Sequence, residues 1–470
     1  MAVTADSRMF DSARQATRLD AIQGRYDAWL IAIAVALAAF GVVMVASSSI
    51  AVAVNHGEGP FYYLVRHVVF LAVGIAMCAV MMRTDLKLVE KYPHLLLAAC
   101  AVLLLLVFVP GLGHSVNGAR RWITFRVANF QVVEAAKVLY LVWLASYLVR
   151  FRDEVNATWG AMLKPIGVAL FLVLLLLAQP DFGSATMLLA VTAGMLVLGG
   201  GHLKRMMLPV LLLLPALVAV AVIEPYRLRR ITSFWNPWED QLGAGYQLSN
   251  ALMAIGRGEF SGVGLGASIQ KLSYLPEAHT DFIFSVVGEE LGFIGLFCLI
   301  ALFTALVGRA LWIGYRCVEM RRHFAGYVAF GVALTIGLQS LVSMGVNLGL
   351  LPTKGLTLPL ISSGGSSVMM TCAAIGLLLR VSYELDRAQR QVARLRGEGG
   401  TAGPGTRDPG PGEAGSRPSQ GTGSSEHGSA GGLAAPPRNP GPGPRIPASR
   451  GTSRLRPRIE PTMGGSGRTA

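Results

Sequence analysis

The chain has 470 residues, of which 53% are hydrophobic and only 14% charged, with a formal net charge of +14 and a mean hydropathy of +0.51. Water-soluble domains carry roughly a quarter charged residues, so these proportions exclude an ordinary soluble enzyme and require a polytopic membrane protein. The positive balance does not point to nucleic acid, because the lysines and arginines lie between apolar runs and in the tail, where they attract anionic lipid and set topology. Cys78, Cys100, Cys298, Cys317 and Cys372 show no paired or metal-ligand spacing, so neither disulfides nor zinc is expected. The first apolar run is too long for a cleavable signal and lacks a small-residue cleavage site.

Residues 1–27 form a polar N-terminal tail with Arg8, Arg14, Arg18 and Arg25 ahead of the first span. Apolar runs long enough to cross a bilayer as helices then recur ten times, at 28–50, 61–82, 93–109, 132–149, 162–178, 183–199, 206–223, 282–308, 324–350 and 367–381. The expected fold is therefore all-α, with about ten transmembrane helices and a large loop between the seventh and eighth. An even number of spans puts both termini on one side.

Cations in short loops are retained in the cytoplasm during insertion. Arg83, Lys87 and Lys91 mark the second loop, Arg150 and Arg152 the fourth, Lys204 and Arg205 the sixth, and Arg309, Arg316, Arg321 and Arg322 the eighth. Those loops and both termini are predicted to be cytoplasmic. Two outside loops break the rule. The third carries Arg120, Arg121 and Arg126, and the seventh carries Arg227, Arg229, Arg230, Arg257 and Lys271. Long loops translocate regardless of charge, which accounts for the seventh but less well for the third. There Arg120 and Arg121 stand beside Trp122, two guanidiniums suited to phosphate oxygens next to a residue that favours headgroup depth. An anionic, phosphorylated lipid in the outer leaflet would explain both.

Glu134 and Lys137 follow, three apart on one helix face, and fit either a structural ion pair or a site. Asp181 reads as a helix cap. The seventh loop, 224–280, is the only long one between spans and is too aromatic for a disordered linker. Its glycine-rich segment 256–266 lacks the ending of a phosphate-cradling loop and is expected to make tight turns between short amphipathic helices. The ninth loop, 350–366, carries Lys354 among prolines and glycines that forbid a regular helix, so protein or a wet cavity must cover it. Residues 384–470 are rich in Gly, Pro, Ser and Arg and are expected to be a disordered tail.

The stretch 272–295 is the most informative. It leaves the long loop through His279, Thr280 and Asp281, then becomes an apolar run that contains Glu289 and Glu290. Ionisable residues at membrane depth suggest a functional site, and on one helix these acids can line a cavity leading inward. Equally, Thr280 or Asp281 can simply cap the helix.

These segments resemble the SEDS family (shape, elongation, division and sporulation) of integral-membrane peptidoglycan polymerases. The likeness spans residues 28–383 and rests on NGARRWI at 117–123, QPDFG at 179–183, YLPEAHTDFIF ending at Phe284, PTKGLTLPLIS from Pro352, and GGSS ending at Ser367. Lys354, Thr357 and the Ser285-Val286-Val287-Gly288 continuation favour the division branch over the elongation branch. Two positions depart from the family pattern, Val132-Val133 in place of Pro-Ser and Ser363 in place of a tyrosine.

The resemblance implies a lipid II glycosyltransferase at the septum of the bacterial inner membrane, with Asp281 as the essential carboxylate and Trp122 in the outer cavity. It also implies partnership with a class B penicillin-binding transpeptidase and other division proteins. A sugar hydroxyl must lose a proton to a base as polyprenyl pyrophosphate departs toward cations. Asp281 is assigned the first role, directly or through a divalent ion such as Mg or Mn. Arg120, Arg121, Lys137 and Lys354 are candidates for the second, and Trp122, Glu134, His279 and Thr280 complete the expected substrate surroundings. A lipid II transporter would also suit ten spans with buried carboxylates, but no internal repeat is visible. A non-catalytic division scaffold is the third reading.

Overall fold

The structure is a computed structural model that describes residues 22–116, 119–125, 128–223, 225–272 and 274–400. Residues 1–21, Asn117, Gly118, Arg126, Val127, Glu224, Ser273 and residues 401–470 lie outside the described set. Seven described helices are long and apolar enough to cross a membrane: α1 (Ala28–Asn55), α2 (Tyr62–Arg83), α5 (Val132–Arg150), α7 (Trp159–Ala178), α12 (Ile283–Glu319), α13 (His323–Asn347) and α14 (Gly365–Gly400). Two shorter apolar helices, α4 (Pro93–Leu106) and α8 (Phe182–Leu198), and the 21-residue α9 (Leu203–Ile223) complete the ten expected spans. Short helices α3 (Leu86–Lys91) and α6 (Arg152–Ala157) sit in the charged loops. Helices α10 (Pro225–Trp235) and α11 (Tyr246–Gly258) occupy the long one, as its composition predicts.

Two features depart from expectation. The third loop is a three-stranded antiparallel sheet: β1 (Gly113–Val116), β2 (Ala119–Phe125) and β3 (Ala128–Gln131), in that order. Helix α14 runs to Gly400, well past the predicted end of the last span, so the tail is helical over its first residues.

Side-chain and backbone bonds lock the loops at each end of the bundle. At one end Arg121 reaches the carbonyl of Pro180, Ser363 N donates to the carbonyl of His279 (2.9 Å), and Arg230 donates to that of Thr353 (3.2 Å). Gln131 N there donates to Ser366 Oγ (2.8 Å). At the other, Arg309 pairs with Asp27 (2.6 Å), the N-cap of α1, and Arg380 with Asp85 and Glu384. The alternation of ten spans thus appears as two sets of interlocked loops.

Helix α12 is broken. Gly292 has φ +64° inside it, so the amides and carbonyls around the break lose their helical partners. The loop after α11 supplies them: Phe293 N donates to Glu259 O (2.9 Å) and Ile294 N to Phe260 O (3.2 Å). In return Val263 N and Gly264 N donate to the carbonyls of Glu289 and Glu290, both at 3.0 Å. Backbone this deep in a membrane needs such cover. Glycine permits the approach, because a Cβ at Gly262 would lie 2.2 Å from Glu290 O and one at Gly258 1.9 Å from Gly288 O.

The two acids inside α12 belong to this joint. Glu289 accepts from Arg257 Nη1 (2.7 Å), Ser268 Oγ and Ile269 N (3.0 Å). Glu290 accepts from Lys271 Nζ (2.6 Å) and Ser47 Oγ (2.7 Å). Both are fully buried. The expectation that they line an inward-leading cavity is corrected: their oxygens are consumed in fastening the long loop to the helix, which compensates the desolvation of two carboxylates.

Candidate active site

Asp281 ends the loop just before α12. That helix is capped at Phe282 with no side-chain hydrogen bond, so neither Thr280 nor Asp281 acts as its cap. Thr280 Oγ1 instead donates to Glu277 (2.6 Å). The Asp281 carboxylate stands against Gly355, where a Cβ would come within 2.8 Å of Oδ2, and remains partly exposed. No hydrogen bond to it is found among the described residues. Its backbone is held tightly, as Asn347 Nδ2 donates to Asp281 O (3.0 Å) while Asn347 Oδ1 accepts from Ser285 N (3.1 Å) and Ser285 Oγ (2.8 Å). One residue earlier, Ser362 Oγ donates to Thr280 O (2.6 Å) and accepts from Leu358 N (2.8 Å). The segment 280–282 is therefore clamped between α13 and the ninth loop.

Desolvation pushes the Asp281 carboxyl up to about 7; Glu277 adds to the rise, and Arg230 and Arg121 oppose it. A carboxylate poised near neutrality is suited to accept a proton from a hydroxyl. Burial similarly lowers the pKa of His279, opposed by Glu277; its ring packs on Tyr63 at 4.8 Å. Lys354 is lowered by burial, with Asp181 opposing. Its ammonium sits over the Phe182 ring (4.6 Å) and 3.5 Å from Thr186 Oγ1.

The sheet separates the residues that the third loop places side by side. The β1–β2 register slips between His114 and Ser115, which pair with Trp122 and Arg120, so a bulge at Arg120-Arg121 interrupts the side-chain alternation of β2. Ala119 and Ile123 are buried, while Arg121 is half-buried. It lies 3.9 Å from Asp181. Arg120 is exposed, and Trp122 is half-buried, in register with Gln131 and His114. Asp181 is a helix cap, accepting from Ser184 N (3.1 Å). Glu134 and Lys137 are buried inside the bundle and paired at 2.9 Å. Lys137 also donates to Gln339 Oε1 (2.7 Å), whose Nε2 donates to Thr357 O (2.9 Å), so this pair reaches the ninth loop through Gln339.

Arg121, Arg230 and Asp281 thus come together electrostatically, Lys354 and Asp181 form a neighbouring cluster, and Lys137 is engaged in the interior. Sequence reasoning passed over Arg230 as one arginine of a cluster, and Asn347 and Ser362 as ordinary polar residues in apolar runs. Only the position of Asn347, three residues before the ninth loop, hinted at a role. For a divalent ion, the described residues offer no group of three or more His, Cys, Asp or Glu side chains. The donor set does not form a protein-only metal site. Magnesium would depend on substrate phosphate oxygens for its ligands.

This is a helical membrane bundle with a half-buried carboxylate near one end, its pKa raised by burial and opposed by Arg230 and Arg121. The profile of the FtsW/RodA/SpoVE cell cycle proteins matches residues 27–387. The chain is 66% identical over 397 residues to a probable peptidoglycan glycosyltransferase FtsW of Xanthomonas oryzae pv. oryzae, covering 84% of this chain and 81% of that protein. A protein of the same name from Halorhodospira halophila is 48% identical, covering 78% and 92%. Among solved structures, a chain from work on the structural coordination of polymerization and crosslinking by a peptidoglycan synthase complex superposes with TM-score 0.63 at 30% identity, covering 77% of this chain and 98% of that one. The rod shape determining protein RodA of Thermus thermophilus gives TM-score 0.57 at 29% identity, covering 76% and 96%. The chain belongs to the FtsW/RodA/SpoVE family.

Proposed function

We propose that this chain is a peptidoglycan glycosyltransferase of the division septum, polymerising lipid II in the inner membrane with Asp281 as general base. The observation that carries the reading is the Asp281 carboxylate, held against Gly355 on a segment clamped by Asn347 and Ser362, with its pKa raised by burial to about 7 against the pull of Arg230 and Arg121. The carboxylate takes the proton of an acceptor sugar hydroxyl as its oxygen bonds to the anomeric carbon of the donor. The bond from that carbon to the pyrophosphate oxygen breaks, and the electron pair leaves with polyprenyl pyrophosphate. Arg121 and Arg230 are assigned to stabilise the charge that develops there, with Lys354 and Arg120 as further contacts. The donor is already activated, so no nucleotide is needed.

The cation distribution in the short loops supports a topology with both termini in the cytoplasm and Asp281 on the periplasmic side. The relatives' names and the synthase complex support a crosslinking transpeptidase as partner. The test is polymerisation of labelled lipid II by purified protein in detergent, with glycan length as readout. Asp281→Asn should lower the rate by about 10²- to 10⁴-fold, the range for losing a general base, while the variant still purifies as a folded membrane protein. Chain formation by that variant at near wild-type rate would refute the assignment. Detergent removes any need for transport, so an intact protein that leaves lipid II as monomer would favour a transporter or scaffold.

A further inference from the structure

A second concavity lies far from Asp281. It measures about 520 Å³, opens between α4 and α7, and is lined by Leu97, Ala101, Gly167 and Phe171 with His94 and Lys164. His94 is the second residue of α4 and Lys164 the sixth of α7, so both polar groups stand near the helix starts. The far ends of the same helices belong to the catalytic end: Gln179, after α7, donates to Leu104 O near the end of α4 (2.8 Å). From His94 to Leu106 is a rise of about 18 Å. The Lys164 ammonium sits 5.9 Å from the ring of Phe151, at the junction of α5 and α6, close to Arg150 and Arg152 in the chain. The groove is thus apolar along its length and cationic at one mouth, in the leaflet opposite to the catalytic carboxylate.

We infer that this groove is a binding site for an anionic phospholipid of that leaflet, with an acyl chain between α4 and α7 and the phosphate at Lys164 and His94. An apolar concavity facing bilayer is filled by acyl chains, and the two donors at its mouth select the headgroup. Lysine contributes a point charge to phosphate and neutral or charged imidazole an N–H. The lipid-linked substrate is not the occupant, because its pyrophosphate must lie at the other end, beside Asp281. Gly167 gives a clean handle, since a Cβ there meets no atom within 4 Å and a larger side chain would enter the groove without disturbing the packing.

The experiment is native mass spectrometry of the purified full chain in detergent, titrated with dioleoyl-phosphatidylglycerol or dioleoyl-phosphatidylcholine, with thermal melting as the folding control. Wild type should retain phosphatidylglycerol more tightly than phosphatidylcholine. Lys164→Glu should weaken phosphatidylglycerol by about tenfold, as expected for reversing one charge near a headgroup, and leave phosphatidylcholine unchanged. Gly167→Phe should weaken both. Equal binding of the two lipids by wild type, or undiminished phosphatidylglycerol binding in either folded variant, would overturn the assignment. Should Lys164→Glu not fold, Lys164→Gln and His94→Ala read the same headgroup contribution.

Discussion

At position 281 the protein holds a carboxylate that burial keeps protonated to unusually high pH while two arginines pull the other way. The sign of the consequence is fixed by the role. A general base works only when ionised, so polymerisation should be weak below the raised pKa, climb with pH through about 7 and then level. Arg230→Gln removes one of the groups that favour the ionised form, and the rising limb should move to higher pH, with a larger loss at pH 6 than at pH 8; an unmoved limb in kcat/KM would show that Arg230 does not act on Asp281. Asn347 works through the backbone. It is fully buried and bonds Asp281 O, Ser285 N and Ser285 Oγ. Asn347→Ala leaves those groups unpaired, so a loss of about 1–3 kcal/mol is expected in the unfolding midpoint in detergent, together with reduced polymerisation.

At the scale of elements, the joint between the long loop and α12 decides whether the carboxylate has a fixed place. A Cβ at Gly292 would fall 2.3 Å from Gly262 N, and its φ of +64° is unfavourable for any other residue. Gly292→Ala should therefore lower stability by roughly 1–3 kcal/mol through backbone displacement, read as a reduced melting temperature. Glu290→Ala should cost more, about 3–5 kcal/mol, because Lys271 would remain buried with its charge uncompensated. Replacing both Glu290 and Lys271 by apolar residues of similar volume should recover part of that loss. Of these elements the apolar runs were legible from hydropathy, and the glycine-rich segment announced tight turns. The sheet was not read, although Asn117-Gly118 is a two-residue hairpin signal; the run Ala119-Arg120-Arg121-Trp122-Ile123-Thr124 after it lacks the alternation of a regular strand because β2 is bulged there. The pairing of Glu289 and Glu290 was out of reach: Arg257 lies 32 and Lys271 19 positions earlier, beyond any helical spacing, and Ser47 lies 243 positions away in α1.

For the whole molecule, topology is the property that the function requires. Leu242 in the long loop is 93% exposed, and Lys87 sits exposed at the opposite end. A cysteine replacing Leu242 should react with a membrane-impermeant maleimide added outside intact spheroplasts, and one replacing Lys87 only after lysis. The reverse pattern would place Asp281 in the cytoplasm and remove the catalytic proposal. The sequence by itself determined ten apolar runs, the unequal share of cations among the loops between them and the stretch that carries Asp281. Those follow from hydropathy and charge, which act locally along the chain. Only the tertiary structure decided which cations act on that carboxylate, that Arg121 lies beside Asp181 and the Pro180 carbonyl, and that Glu289 and Glu290 are fasteners. Electrostatic partnership depends on distances between segments remote in sequence, and no local pattern encodes them.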